Sequence, residues 1–190
     1  MNTTTLKGHL TVVHGSMFAG KTEHTIALLR RESDAGKRVI AIKHSIDDRY
    51  DADHLVTHRG DKFEALRARN ADEIEALVDG ADLVAIDEGH FFKELLIPIV
   101  DRLRSRGIHV LVAGITHDAW GRPFEPMPEL AAIADDDVCL QAPCRVCGQP
   151  SPYTQRMVPV DSVHMVGGLD DYEPRCKEHF TPHPSPPEVR

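Results

Sequence analysis

No stretch of the sequence approaches the ~18 consecutive apolar residues that a membrane-spanning helix requires, so no membrane span and no membrane partner are expected. The first ten residues, MNTTTLKGHL, lack the long apolar core of a signal peptide, and a cytoplasmic protein is the expectation. Positive charge is also in short supply. Lys and Arg number 22 against 30 Asp and Glu, a formal net charge of −8 at pH 7. That balance argues against a general binder of nucleic acid or anionic membranes, although a local basic site can still hold phosphates. Cysteine is scarce, with four residues, and in a cytosolic chain such thiols point to a metal or to isolated groups before disulfides. Internal repeats and coiled-coil heptads are absent. What remains, 190 residues with 41% hydrophobic side chains, allows one well-packed domain with at most a small appendix.

Short Val/Ile/Leu runs alternate with helical patterns. LTVVHG (10–15), RVIAIKH (38–44), LVAIDEG (83–89) and HVLVAGI (109–115) read as buried strands. KTEHTIALLRRESDAG (21–36) reads as a helix closing on Gly36, and FFKELLIPIVDRLRSRG (91–107) as a second helix. MPELAAIAD (127–135) gives a further helix and DVCLQA (137–142) a further strand. Continuous apolar strands separated by helices indicate an α/β fold, a mostly parallel sheet covered on both faces. Near Ala142 the composition turns to Pro, Gly and Cys without helical periodicity, which marks a boundary. The expected division is a phosphate-loop domain over 1–142, a small subdomain over 143–180 that needs a staple because its core is too small, and a proline-rich, disordered tail over 181–190.

GSMFAGKT, Gly15 to Thr22, fits G-x-x-x-x-G-K-[ST]. Its glycines let the backbone curl so that the N–H groups of Ser16, Met17, Phe18, Ala19 and Gly20 can turn towards an anion. Lys21 meets the β/γ-phosphates, and the Thr22 hydroxyl meets Mg²⁺. A strand before the loop and a helix after it supply the required context. In LVAIDEGHFF, Asp87 and Glu88 stand at the carboxyl end of a buried strand, where ligands sit in open α/β sheets. Asp87 is placed to hold Mg²⁺. Glu88 is placed to accept a proton from a hydroxyl acceptor, which distinguishes a kinase from a nucleotidase.

Cys144-x₂-Cys147 and Cys176-x₂-His179 form two short-spaced pairs of the kind that close a tetrahedral structural zinc site. Cys139 falls within an apolar strand pattern and is expected as a core thiol, a reserve ligand should His179 not reach. Arg49, in DDRY after the second strand, lies on a loop near the sheet's carboxyl edge, where a guanidinium can meet a phosphate. The remaining histidines, among them His14, His24, His44, His54, His58 and His109, show no ligand spacing and read as solvated or packed. Gly167 and Gly168 suggest a loop that closes over a substrate from a zinc-held base.

The order of these motifs resembles the zinc-containing, type II thymidine kinase family. The resemblance runs from about Leu10 to His179 and rests on GSMFAGKT, KHSIDDRY, the Thr57–Arg59 triplet, DEGHFF, VAGI…GRPFEPMPEL, CRVCG…YTQR and VGGLDDYEPRC. It implies ATP-dependent phosphorylation of thymidine or deoxyuridine, a P-loop NTPase-like sheet with a zinc subdomain carrying a lasso loop, and commonly a tetramer. It also implies roles for individual residues. Glu88 would be the general base and Lys21 and Arg49 its catalytic companions, Thr22 and Asp87 would serve Mg²⁺, and Glu88, Gly89 and His90 would extend the ATP site. Met17, Phe91 and Thr154 would surround the base, and the loop from Met165 to Tyr172, including Val166, Gly167 and Gly168, would grip it. The zinc set would be Cys144, Cys147, Cys176 and His179.

The chain departs from the family pattern in two places. DEGH stands where DEAQ is usual, so His90 replaces a non-titrating amide. In GITHDAWGRPF, Ile115-Thr116 replaces Leu-Asp, and Ala119 stands where an aromatic is usual, with Trp120 one position later. Two other readings stay open: a deoxynucleoside kinase of altered base preference, and an ATP-regulated zinc protein that phosphorylates no nucleoside.

Overall fold

A computed structural model describes residues 7–47, 51, 53–158, 167–168 and 170–182. The apolar runs form the centre of the molecule. In chain order the elements are β1 (Leu10–Gly15), α1 (Lys21–Asp34), β2 (Val39–His44), β3 (His54–Val56), β4 (Lys62–Glu64), β5 (Leu66–Ala68), α2 (Ala71–Leu77) and β6 (Leu83–Asp87). A 3₁₀ segment, Gly89–Leu95, then leads into α3 (Leu96–Ser105), β7 (His109–Ile115), α4 (Met127–Ala132) and β8 (Asp136–Leu140). The last elements are short strands: β9 (Ala142–Pro143), β10 (Pro150–Ser151), β11 (Tyr153–Arg156) and β12 (Tyr172–Arg175).

Among the described residues one six-stranded sheet runs β5-β2-β6-β7-β1-β8, with every pairing parallel. Side chains alternate along each strand, so one sheet feeds two cores. Val12, Val84, Ile86, Val110 and Val112 pack with Ile74 of α2, Ile99 and Leu103 of α3, and Leu130 of α4. Val13, Ala41, Ala85, Leu111 and Ala113 pack with Ile26 and Leu29 of α1. The parallel α/β sheet with helices on both faces is therefore as the sequence indicated. β9–β10 and β11–β12 form separate two-stranded antiparallel pairs outside this sheet. No helix among the described residues is long and apolar enough to cross a membrane.

Several expectations need correction. The single helix expected over 91–107 is broken: Lys93 takes φ 57°, ψ −163°, a kink within the 3₁₀ segment, and regular α-helix begins only at Leu96. The helix beginning at Met127 ends at Ala132, earlier than MPELAAIAD suggested. Cys139 is exposed, not a core thiol. Val138 and Leu140 of edge strand β8 pack against the α1-side core. The alternation therefore turns Cys139 to the other face, which is uncovered there. Of the proline-rich tail, 183–190 lie outside the described residues.

The join between β1 and β8 is tight at the phosphate loop's first glycine. A Cβ on Gly15 would sit 1.8 Å from the Leu140 carbonyl oxygen. The obstacle is backbone and cannot rotate away, so Gly15→Ala must push β8 off β1. We expect a loss of about 3 kcal/mol, a fall in Tm of roughly 6–12 °C in a thermal melt. An unchanged Tm would show that the edge strand moves freely.

Candidate active site

The carboxyl ends of β1, β2 and β6 open onto one cleft, lined by Met17, Phe18, Gly20, Lys21 and Thr22 of the glycine loop together with Lys43, Asp47, His54–His58, Asp87, Glu88 and Gly167. The loop has the backbone its glycines permit. Gly20 is left-handed, φ 86°, at the N-cap of α1, and the non-glycine Phe18 is left-handed too, φ 64°. That conformation costs energy for a side chain with a Cβ and persists only where neighbours enforce it. α1 begins at Lys21, so its free N–H groups and dipole point at the cleft. Lys21 is buried, and its Nζ donates to the Ser16 carbonyl at 2.8 Å. The Thr25 hydroxyl donates to the Lys21 carbonyl at 3.0 Å and tightens the first turn.

Asp87 ends β6 directly beside this loop. Its Oδ2 accepts from the Thr22 hydroxyl at 3.5 Å and its Oδ1 from the Glu88 N–H at 3.0 Å. Thr22 and Asp87 thus meet with one face towards the loop, the donor set that suits a hard divalent cation. Burial, then the neighbouring Glu88 and Asp47 charges, push Asp87 up to about 7 from an ordinary 3.8. The folded chain therefore binds a proton there that the unfolded chain releases, and stability falls as pH rises through roughly 4 to 7. Asp87→Asn removes the charge, keeps the Glu88 N–H on its amide oxygen, and turns the other contact round so that the amide NH₂ donates to the Thr22 hydroxyl. In magnesium-free buffer it should raise Tm by about 2–6 °C at pH 8 and by much less at pH 5. A Tm that falls at pH 8 would contradict the electrostatic reading.

Glu88 turns the chain out of β6 in a left-handed conformation, φ 51°, ψ 45°. Its side chain is 13% exposed and lines the cleft. Strain at an acid that ends a buried strand is the feature expected of a residue held for chemistry and not for packing. His90 is buried, with its ring between Phe91 (centroids 4.3 Å apart) and Phe124 (4.6 Å). Its Nδ1 lies 3.4 Å from the Ile115 N–H and 3.7 Å from Glu88 Oε2. The backbone N–H can only donate, so in that contact the imidazole nitrogen accepts.

The remaining sequence candidates divide. Met17 and Gly167 line the cleft, whereas Phe91, Thr154, Gly168 and Tyr172 are not among its lining residues. Thr154 is buried, and its hydroxyl accepts the Met17 N–H at 2.9 Å. Tyr172 is buried with the Arg156 guanidinium 5.9 Å from its ring centre. Arg49 and Val166 lie outside the described residues. Ala119 and Trp120 do not line the cleft either. Trp120 is buried under the Arg122 guanidinium, 5.0 Å away, and the Thr116 hydroxyl bonds His14 Nδ1 at 3.0 Å.

Sequence reasoning missed Lys43 and the β3–β4 hairpin. Lys43 is buried at the end of β2, and its Nζ donates to the Asp51 carbonyl at 2.7 Å and the His54 carbonyl at 3.3 Å. A lysine closing the buried run RVIAIKH was the available signal, since a cation is seldom buried without partners. The hairpin brings His58 to Phe18, with ring centres 5.1 Å apart.

Away from the cleft, Cys144, Cys147, Cys176 and His179 put one donor atom each within 4.8 Å of all the others. Cys147 Sγ and Cys176 Sγ are 3.6 Å apart, Cys144 Sγ and His179 Nδ1 3.9 Å, and Cys176 Sγ and His179 Nδ1 3.1 Å. Tetrahedral zinc, with Zn–S near 2.3 Å and Zn–N near 2.0 Å, asks for ligand separations of roughly 3.3–3.8 Å. The cluster could therefore hold a zinc ion, and His179 reaches without help from Cys139. Burial raises the Cys144 thiol, but hydrogen bonds from the backbone around Cys176, Cys147 and Val146 prevail and bring it down to about 6. A backbone hydrogen bond from Gln149 lowers Cys147, but desolvation and the neighbouring Cys176 and Cys144 thiols prevail and push it up, so the pair favours one thiolate.

A model of the thymidine kinase family matches residues 8–180. Among solved structures the chain is similar to a replication initiator DnaA bound to AMPPCP and single-stranded DNA, at 14% identity and a TM-score of 0.43. That match covers 70% of this chain and 40% of the other, so the chain spans less than half the length of that protein.

Proposed function

The chain belongs to the thymidine kinase family, and on that premise we propose that it transfers the γ-phosphate of Mg·ATP to the 5′-hydroxyl of thymidine or deoxyuridine, giving dTMP in nucleotide salvage. The observation that carries the proposal is the pairing, in one cleft, of a helix-opening glycine loop with a strained, cleft-lining Glu88 next to Asp87. The loop amides and the Lys21 ammonium hold the donor's phosphates and offset the charge that spreads over the transferred group. Thr22 and Asp87 would hold Mg²⁺, which when bound neutralises charge on the β- and γ-phosphates. Glu88 takes the proton of the 5′-hydroxyl while that oxygen bonds the γ-phosphorus, the bridging bond to the β-phosphate breaks and ADP leaves. Met17, Phe91, Thr154 and the Val166–Tyr172 region are proposed around the base, and Arg49 beside the acceptor.

The division into a catalytic domain over 1–142 and a zinc and lasso subdomain over 143–180 belongs to the same proposal, as do a structural zinc, a homotetramer, a cytoplasmic location and no nucleic-acid partner. A second reading, altered base preference, rests on the sequence departures at Ala119 and at Thr116, whose hydroxyl is taken up by His14. Initial rates with thymidine, deoxyuridine, deoxycytidine and purine deoxynucleosides at fixed Mg·ATP separate the two. The primary reading requires thymidine and deoxyuridine to lead. ATP turnover indifferent to every nucleoside would overturn both.

A further inference from the structure

We infer that Thr154 is a positioning residue that fastens the phosphate loop to the subdomain carrying the Cys/His cluster, and so couples nucleotide binding to nucleoside binding. The inference rests on the proposed nucleoside kinase reading for the nucleoside half; the fastening of the loop stands on geometry alone.

The Met17 N–H donates to Thr154 Oγ1 at 2.9 Å across 137 residues of chain, and both residues are buried. A second, longer contact lies alongside, where the Ala142 N–H reaches the fully buried Ser16 hydroxyl at 3.5 Å. Met17 stands immediately before Phe18, the left-handed residue of the loop. Its N–H is thus committed to Thr154 and not to the anion cradle, and the bond fixes one end of the strained turn while α1 fixes the other. Without that acceptor a buried N–H is left unpaired, and the turn at Phe18 loses a restraint that holds the following N–H groups towards a phosphate.

The other side of Thr154 leads to the metal cluster. Thr154 lies opposite Pro174 in the β11–β12 pair, two residues before Cys176. The Pro174 carbonyl accepts the N–H of Arg145, between Cys144 and Cys147, at 3.0 Å. A ligand that orders β11 therefore orders the acceptor of the Met17 N–H, and by linkage a nucleotide that orders the loop favours the same arrangement of β11. The hydroxyl serves the loop and leaves the Thr154 methyl to serve a base.

The test compares Thr154→Val, which keeps the shape and loses the acceptor, with Thr154→Ser, which keeps the hydroxyl and loses the methyl. Affinity for the magnesium complex of the β,γ-imido analogue of ATP is measured by calorimetry with and without thymidine, and Met17 amide exchange is followed by NMR. Loss of the acceptor should weaken the analogue about tenfold, while T154S stays within about twofold of wild type. At thymidine concentrations that saturate each variant, thymidine should tighten the analogue in wild type and T154S but not in T154V, and the wild-type Met17 amide should be strongly protected. Equal weakening in both variants, or wild-type affinity in T154V, would overturn the inference. If T154V does not fold, rapid exchange of the wild-type Met17 amide overturns it and slow exchange supports it. If thymidine leaves the wild-type affinity unchanged, the coupling fails while phosphate transfer to thymidine, measured separately, decides the kinase reading, and the nucleoside-free affinities still decide the fastening.

Discussion

Glu88→Gln should lower turnover of nucleoside by about 10²–10⁴-fold while Mg·ATP affinity stays within about threefold of wild type. The amide fills the space of the carboxylate and can still accept hydrogen bonds, but it cannot take a proton at neutral pH. Single-turnover rates and equilibrium nucleotide binding separate the two effects. Glu88 occupies a left-handed position that glycine would fill at less cost, and its side chain faces the cleft beside Asp87. If nucleotide affinity falls as far as turnover, Glu88 ligates the metal or the phosphates, and the base must be another group. The substitution also removes one of the charges that raise Asp87. A modest gain in Tm should therefore accompany the loss of rate, the trade expected where an active site holds like charges together.

Cys176→Ser should abolish binding of zinc at near one ion per chain and lower Tm by about 10 °C or more. The segment from Ala142 onwards is built from strands of two to four residues in two-stranded pairs, which are marginal in water on their own. Its described residues with buried side chains are few: Ala142, Cys144, Ser151, Thr154, Arg156, Tyr172 and Cys176. Two of those are ligand candidates, so the cluster takes the place of a core. Metal analysis and scanning calorimetry read the two effects separately. A chain that purifies without zinc and melts as the variant does would mean that the Cys/His cluster is held by protein contacts alone. Because Thr154 ties this segment to Met17, nucleotide affinity should fall with zinc although the cluster is outside the cleft.

The inner strands β1, β2, β6 and β7 were legible because the sheet is covered on both faces there, whereas edge strand β5, three residues with one buried, was not. LTVVHG and HVLVAGI carry unbroken β-branched and apolar residues, and their observed limits, Leu10–Gly15 and His109–Ile115, match the runs. The glycine loop and the Cys/His set were legible for a different reason, since short spacing fixes geometry before tertiary structure does. The β3–β4 hairpin was not, because three-residue strands are too short to show alternation. Helix α2 could have been found from Asn70 and Glu73, since the Asn70 side chain caps the Glu73 N–H at 3.1 Å. Pro98 was the local sign of the break near Lys93, since a proline lacks the N–H and clashes with the carbonyl four residues earlier, and it stands in the first turn of α3. Cys139 had no such sign, since its strand pattern did not show that it would form an exposed edge, and neither did the bond from Met17 to Thr154. These follow from how distant segments pack.

The most direct measurement is transfer of label from Mg·[γ-³²P]ATP to thymidine by the purified chain, with the position of the product's phosphate assigned by NMR. Label on the 5′-oxygen, stoichiometric with ADP and dependent on thymidine, is the expected result. ADP formation without a labelled nucleoside, at the same rate with and without thymidine, would contradict a kinase built on Glu88 and the glycine loop.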